Sequence, residues 1–200
     1  MTAFRKAKQL SPWVVVEEEL SGMVYRATLI GGELFGVIRR EPPNVIGDGI
    51  STVRQLVDNE NVRNERHGSI FHIIADGEAA DAELVRQGLS WDSVPAPGQM
   101  VFLNQKVSRG VGASTTDVTE IVHPENKILF ERIAKLLNDS LVGVDFIIED
   151  ITKPWHDTPA CGVIECNSLP FIDLHHYPLN GSPRNAAGAL WDILVSGSPS

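Results

Sequence analysis

Short apolar runs of β-branched character, separated by glycine and proline, alternate along this chain with five stretches that read as helix. Residues 3–10 read as the last turns of a helix, which Ser11-Pro12 breaks before Trp13-Val14-Val15-Val16, an uninterrupted apolar run predicted to be a buried strand. Residues 24–30 and 33–39 flank Gly31-Gly32 and predict a β-hairpin with Arg26 at its centre. Pro42-Pro43 ends its second strand, Val45-Ile46-Gly47-Asp48-Gly49 reads as a turn, and Ser51 as the N-cap of a short helix through Asp58. Residues 59–78 are polar and irregular. A helix over 79–87 is closed by Gly88, and a strand over 100–103 follows the turn Pro95-Ala96-Pro97-Gly98. Residues 108–116 form a Gly/Ser/Thr loop able to offer amides and hydroxyls to an anion, although it matches no P-loop.

The clearest helix spans 124–139, with Ile128, Leu129, Ile133, Leu136 and Leu137 on one stripe, placed to pack on the sheet. Two further strands, Val144-Asp145-Phe146-Ile147-Ile148 and the run from Gly162 to Ser168, are joined by residues 149–159, a connection short enough to make them antiparallel neighbours. A helix over 185–195 closes the pattern before the tail 196–200. With no internal repeat or change of composition, these elements predict an α+β fold: an antiparallel sheet flanked by helices.

The chemistry concentrates on the last two strands. Alternation puts Val163, Glu165 and Asn167 on one face, with Ile164 and Cys166 on the other. Asp145 places a carboxylate inside an apolar strand, where an unpaired charge costs several kcal/mol, so it demands a partner. Asp145, Glu165 and Asn167 converging from neighbouring strands would be a hard-oxygen set suited to magnesium that carries nucleotide phosphates. The alternative is a merely solvated strand face. Glu17-Glu18-Glu19 follows an apolar run and precedes Gly22, an arrangement like a hinge.

Composition narrows the partners. Of 200 residues, 42% are hydrophobic, enough to bury a core, and 17 Lys and Arg against 26 Asp and Glu leave a net charge of −9. That balance argues against a surface that tracks nucleic-acid phosphates. No apolar run reaches membrane-spanning length and the first residues lack a signal-peptide core, so the expectation is a cytoplasmic chain with no membrane partner. Cys161 and Cys166 share one strand on opposite faces and cannot bridge each other, which fits a reducing compartment. Together with His175 and His176 they lack the ligand spacing of zinc sites.

Many ordered pieces of the chain resemble one family. Val14-Val15-Val16-Glu17, Gly22, Tyr25-Arg26, the run Arg39-Arg40-Glu41-Pro42-Pro43-Asn44-Val45-Ile46-Gly47-Asp48-Gly49, Val122-His123-Pro124-Glu125-Asn126, Val142-Gly143-Val144-Asp145-Phe146, Ile164-Glu165-Cys166-Asn167, Gly181 and Pro183-Arg184 are similar to the carboxy-terminal part of the ATP-grasp module of cyanophycin synthetases. His175-His176-Tyr177-Pro178-Leu179-Asn180-Gly181 also resembles the glutathione-synthetase part of bifunctional glutathione-forming enzymes. The resemblance implies an ATP- and Mg2+-dependent carboxylate–amine ligase acting through an acyl phosphate on amino-acid or peptide substrates. Within it Glu17, Glu18, Glu19 and Leu20 would meet adenine, Asp145, Glu165 and Asn167 would hold magnesium, and Arg26, Arg40 and Arg184 would be the catalytic arginines.

Three departures accompany the match. Val24 stands where relatives carry an acidic residue that holds the ribose, residues 104–116 lack the Arg and Asn those synthetases place near Asn104 and Ser108, and Phe171 replaces a glycine. The family's phosphate-binding lysine and glycine-rich lid precede the matching segment. Residues 1–195 are therefore expected to be a partial ATP-grasp domain, inactive in isolation and partnered by an upstream lobe, with a homo-oligomer left open. The competing expectation is a non-catalytic nucleotide-binding or interaction module; a magnesium-dependent phosphatase ranks last for want of a nucleophilic Asp motif.

Overall fold

The computed structural model describes residues 2–196. After helix α1 (Thr2–Leu10), strands β1 (Met23–Ile30) and β2 (Glu33–Glu41) form the hairpin. Gly31 and Gly32 adopt φ of +63° and +84°, the pair of positive values a two-residue turn between twisted strands requires. With β5 (Ser114–Asp117), β6 (Leu141–Ile148) and β7 (Gly162–Ser168) they make one antiparallel sheet in the order β5-β2-β1-β6-β7. The fold is therefore the expected α+β arrangement.

The two faces of this sheet differ in kind. On one, Tyr25, Ala27, Leu29, Val37, Val144, Phe146 and Ile148 are buried beneath helix α4 (Pro124–Leu137). Phe130 of α4 meets Phe146 edge-on at a centroid separation of 5.3 Å. Each such large apolar side chain contributes roughly 1.5–3 kcal/mol relative to exposure. The other face carries Arg26, Thr28, Asp145 and Gly143 and is roofed in part by residues 170–184, including the short helix α5 (Asp173–His176). Helix α6 (Ala186–Ser196) covers the end of the sheet at Ile30 and Leu141.

A smaller unit branches from β2. Strands β3 (Asn44–Ile46) and β4 (Met100–Phe102) pair with each other, and α2 (Val53–Asn61) and α3 (Glu78–Arg86) enclose a separate core of Val45, Val53, Val57, Ile74, Leu84, Val101 and Leu103. Thr52 caps α2 in a reciprocal capping box with Gln55. The cap is one residue beyond the expected Ser51, and Val45-Ile46, expected as a turn, is strand because Val101 and Met100 pair with it.

Other expectations change for physical reasons. Trp13 to Val16 form no strand, and Trp13, Val15 and Val16 are more than three-quarters exposed, because none of the described residues pairs with them. Helix α4 buries Asn126, Phe130 and Ala134; Ile128, Leu136 and Leu137 face solvent, with Leu129 and Ile133 at the margin. Asn126 earns its place because its amide donates to the carbonyls of Ile151 and Lys153 and accepts from the Trp155 amide. Residues 114–116 of the expected loop belong to β5. None of the helices among the described residues is long and apolar enough to cross a membrane.

Candidate functional site

The strand register builds the site. Arg26 of β1 lies opposite Asp145 of β6, and Asp145 lies opposite Glu165 of β7, so three neighbouring strands set one guanidinium and two carboxylates in a row on one face. Directly paired residues share a face of a sheet. Asn167 follows two residues beyond Glu165, opposite Gly143, and its Nδ2 donates to Glu165 Oε1 at 3.2 Å. The register shifts between Asp145 and Phe146, so Val163 pairs with Phe146 on the apolar face; it does not share the face of Glu165 and Asn167 as strict alternation predicts.

The partner that buried Asp145 demands is Arg26. Arg26 Nε donates to Oδ1 at 2.5 Å and Nη2 to Oδ2 at 2.9 Å, a bidentate pair with side chains only 8% and 7% exposed. Arg40 Nη1 stands 3.6 Å from the same carboxylate. Burial lowers the Arg40 pKa; Asp145 opposes that shift, while the nearby Arg26 and Arg109 reinforce it. A carboxylate offers about four lone-pair positions, so the ion pair leaves acceptor capacity on Asp145 beside exposed Glu165 and half-buried Asn167. Two carboxylates and a carboxamide oxygen fit a hard cation such as magnesium. Among the described residues, no group of three or more His, Cys, Asp and Glu could hold a metal, so an ion here needs the Asn167 carboxamide or water to complete its shell.

At the Arg26 end of the row opens a cavity of about 350 Å³, walled by Arg26, Arg40, Arg109, Thr115, Phe171 and Asp173; Asp145, Glu165 and Asn167 are not part of its wall. Gly143 lets the chain approach closely here: a Cβ on it would meet Pro170 Cβ at 2.7 Å and the Arg26 side chain at 3.1 Å. Arg109 is a wall residue that the sequence reading passed over, although it is the only charged residue in 108–116. Its Nη1 donates to Asp173 Oδ2 at 2.7 Å.

The remaining expected residues lie elsewhere. Arg184 stands outside the cavity wall: its Nε donates to Asp117 Oδ2 at 2.7 Å, its Nη2 to Glu120 Oε1 at 2.6 Å, and its backbone N–H to the His175 carbonyl. These bonds to Asp117 and Glu120 raise its pKa. His175 is fully buried against Gly36 and Phe35, and burial pushes its pKa down to about 4 despite the nearby Asp117. Glu17, Glu18 and Glu19 are exposed, while Leu20 packs against Gly162 at the start of β7 and Ser21 donates to the Ala160 carbonyl. The hinge-like segment thus runs beside the start of the strand that bears Glu165, and none of Glu17 to Leu20 lines the cavity.

No family model matches the chain. It is 35% identical over 191 residues to a cyanophycin synthetase from Synechocystis sp., an alignment covering 94% of this chain and 22% of that protein. It is 37% identical over 201 residues to the glutathione biosynthesis bifunctional protein GshAB of Mannheimia succiniciproducens, covering 96% of this chain and 26% of the relative. A crystal structure of a bifunctional glutathione synthetase from Pasteurella multocida superposes with a TM-score of 0.75 at 32% identity, over 90% of this chain and 25% of the other. The chain spans about a quarter of the length of the relatives it matches. By sequence and by fold the chain is similar to one segment of the cyanophycin synthetases and of the bifunctional glutathione synthetases.

Proposed function

We propose that this chain is the metal- and acid-binding part of an ATP- and Mg2+-dependent ligase that joins a carboxylate to an amino-acid or peptide amine through an acyl phosphate. The observation that carries the reading is the row Arg26–Asp145–Glu165 across three strands, which meets a cavity walled by arginines at its Arg26 end. Ligation of this class calls for neutralised phosphate charge and two oriented substrates; it needs no protein nucleophile. Asp145, Glu165 and Asn167 would hold the ion. Magnesium, when bound there, would supply charge neutralisation at the phosphate oxygens.

The protein's own groups carry the rest. Arg40, half-buried and only loosely engaged by Asp145, offers its fork to the reacting carboxylate or phosphoryl oxygens, because a planar guanidinium binds such ends bidentately. Arg26 is held rigid by Asp145 and keeps a fixed positive charge in the floor. Glu17 to Leu20 meet the base along the flank of β7. Arg184 acts as a positioning residue that ties the His175 segment to β5 through Asp117. An upstream lobe would complete the phosphate site.

Glu165→Gln and Asn167→Ala test the reading, because both side chains lie on the edge strand and their removal should change stability by no more than about 0.5 kcal/mol. In the full-length protein, each should abolish Mg2+-dependent ATP binding and coupled ADP release with acid and amine pairs. Unchanged binding in folded Glu165→Gln would overturn the metal assignment. Intact binding without ADP release from any pair favours the non-catalytic module.

A further inference from the structure

Glu60, Arg63 and Arg66 follow one another at intervals of three, at the end of α2 and in the turn beyond it, within the stretch whose polar composition predicts no regular structure. One carboxylate oxygen gathers both guanidinia. Glu60 Oε1 accepts from Arg66 Nε at 2.9 Å and from Arg63 Nη1 at 3.3 Å, and Arg66 Nη2 stands 2.8 Å away. The Arg66 side chain is 1% exposed, a burial that a guanidinium tolerates only with its counter-ion and hydrogen bonds in place. Most of the other donors reach outside the small unit. Arg66 Nη1 donates to the carbonyls of Gly112 at 2.9 Å and His72 at 3.1 Å, while Arg63 donates to the Leu179 carbonyl at 2.9 Å and to Asn180 Oδ1 at 3.1 Å. Gly112 closes the loop that carries Ser108 and Arg109, and Leu179 ends the roof segment that carries Phe171 and Asp173, the two facing walls of the arginine cavity. The loop is seated tightly: Gly112 adopts φ +90°, and a Cβ on it would meet the Ile73 carbonyl oxygen at 2.8 Å. On the cavity side the same two walls meet where Arg109 Nη1 donates to Asp173 Oδ2 at 2.7 Å. The contacts close a ring that runs from Glu60 through Arg66, the loop, Arg109, Asp173, the roof and Arg63 back to Glu60.

We propose that Glu60 is a positioning residue for the arginine cavity: through Arg66 it anchors the loop wall and through Arg63 the roof wall, so that one carboxylate sets their separation. The inference rests on the ligase reading only for what the cavity holds; the separation of the walls belongs to the fold. The small unit has an apolar core of its own, and of the four acceptors besides Glu60 three lie beyond that unit, so the network does more than close it. Arginine suits the task because its planar fork binds a carboxylate and two carbonyls at once in a fixed geometry. A reaction that depends on orientation feels such a wall, since a displacement of about 1 Å can cost about 100-fold in rate.

The test reads the separation directly in the full-length protein, by double electron–electron resonance between nitroxides on Ser108→Cys and Phe171→Cys, exposed positions on the two walls, with Cys161→Ser and Cys166→Ser as background. Arg63→Gln and Arg66→Lys each cut one tie, the lysine keeping its charge beside Glu60 without reaching two carbonyls as well. Each should replace the single distance of the parent by a broader distribution displaced to longer values. Glu60→Gln should displace it further, and the two arginine variants decide the matter where Glu60→Gln does not fold. Val57→Ala hollows the small unit's core without touching the ring, so it should lower the Tm and leave the distances as they are. With an acid and amine pair that gives ADP release, the arginine variants should raise KM for the acid about tenfold and leave KM for ATP within about twofold. Unchanged distances in both arginine variants, equal broadening in Val57→Ala, or parallel rises in the two KM values overturn the assignment. Displaced distances in a protein that releases no ADP with any pair support the positioning role and overturn the ligase reading alone.

Discussion

Asp145→Asn is the perturbation on which the interpretation of the sheet's polar face depends most directly. The wild-type carboxylate and its Arg26 partner are 7% and 8% exposed, and Arg40 adds a second positive charge 3.6 Å away. The amide keeps the shape and removes the charge, leaving one buried guanidinium and one half-buried neighbour without a counter-ion. Breaking a buried pair from one side costs about 3–5 kcal/mol, and because the amide oxygen still accepts one Arg26 hydrogen bond the lower end applies, about 3 kcal/mol. With a urea dependence of about 2 kcal/mol per molar, the midpoint should fall by roughly 1.5 M. The companion variant Arg26→Leu with Asp145→Leu removes both charges, and matched apolar replacement of a buried pair is often neutral, so it should unfold within about 1 kcal/mol of wild type. Equilibrium urea unfolding followed by circular dichroism reads both. A midpoint shift below roughly 0.3 M in Asp145→Asn would refute the account of Asp145 as the counter-ion that makes the arginine floor tolerable.

Two further outcomes follow from the same face. His175 is held neutral in the fold, with its pKa about 4 against an ordinary 6.5, so between those values the unfolded chain takes up a proton that the folded one refuses. Stability should therefore decline as pH falls from about 6.5 to 4, by about 3 kcal/mol in total, and His175→Leu should flatten urea-midpoint curves across that window. A variant with the wild-type slope would assign the acid sensitivity to other groups. Gly143→Ala sets a Cβ 2.7 Å from Pro170 and 3.1 Å from the Arg26 side chain, so overpacking should cost about 1–3 kcal/mol and lower the Tm by roughly 3–9 °C in a thermal melt. An unchanged melt would show that the Pro170 segment does not sit on the sheet.

Legibility from sequence followed the range of the interaction. The hairpin was readable because Gly31-Gly32 supplies two positive φ values locally, and the antiparallel β6–β7 pair because its connection is short. The same reasoning set Asp145, Glu165 and Asn167 on neighbouring strands, which the register does. It could not show that Asp145 meets Arg26, 119 residues away, because nothing local to either residue encodes their pairing. The bulge that turns Val163 to the apolar face also lacks a sequence mark. On α4, apolar character misled: Leu136 and Leu137 are exposed and Asn126 is buried, since three backbone groups beneath the helix need an amide more than the sheet needs another leucine. The Trp13–Val16 run carries strand propensity, but propensity supplies no partner strand. Arg109 was passed over because a lone arginine in a Gly/Ser/Thr loop looks like any solvated loop charge until Phe71 and Asp173 fix it at the cavity.

The division of labour across the sheet explains why stability and chemistry can be separated in this molecule. The apolar face under α4 supplies burial, and its residues alternate with the polar face along each strand, so a one-residue slip of β1 against β6 would drive Arg26 into the Phe130 cluster and Tyr25 into the cavity. The Arg26–Asp145 pair penalises that slip from the other side, where a leucine pair would tolerate more than one register. The groups that would take the ion, Glu165 and Asn167, sit on the exposed edge strand, where a carboxylate without a counter-charge in hydrogen-bond contact keeps its hydration and costs the fold little. Hence the double leucine variant should stay folded while losing the charged floor and, with Asp145, the ion, and the Glu165 variant should stay folded while losing the ion alone; Asp145→Asn, which leaves Arg26 in place, should register in both assays at once.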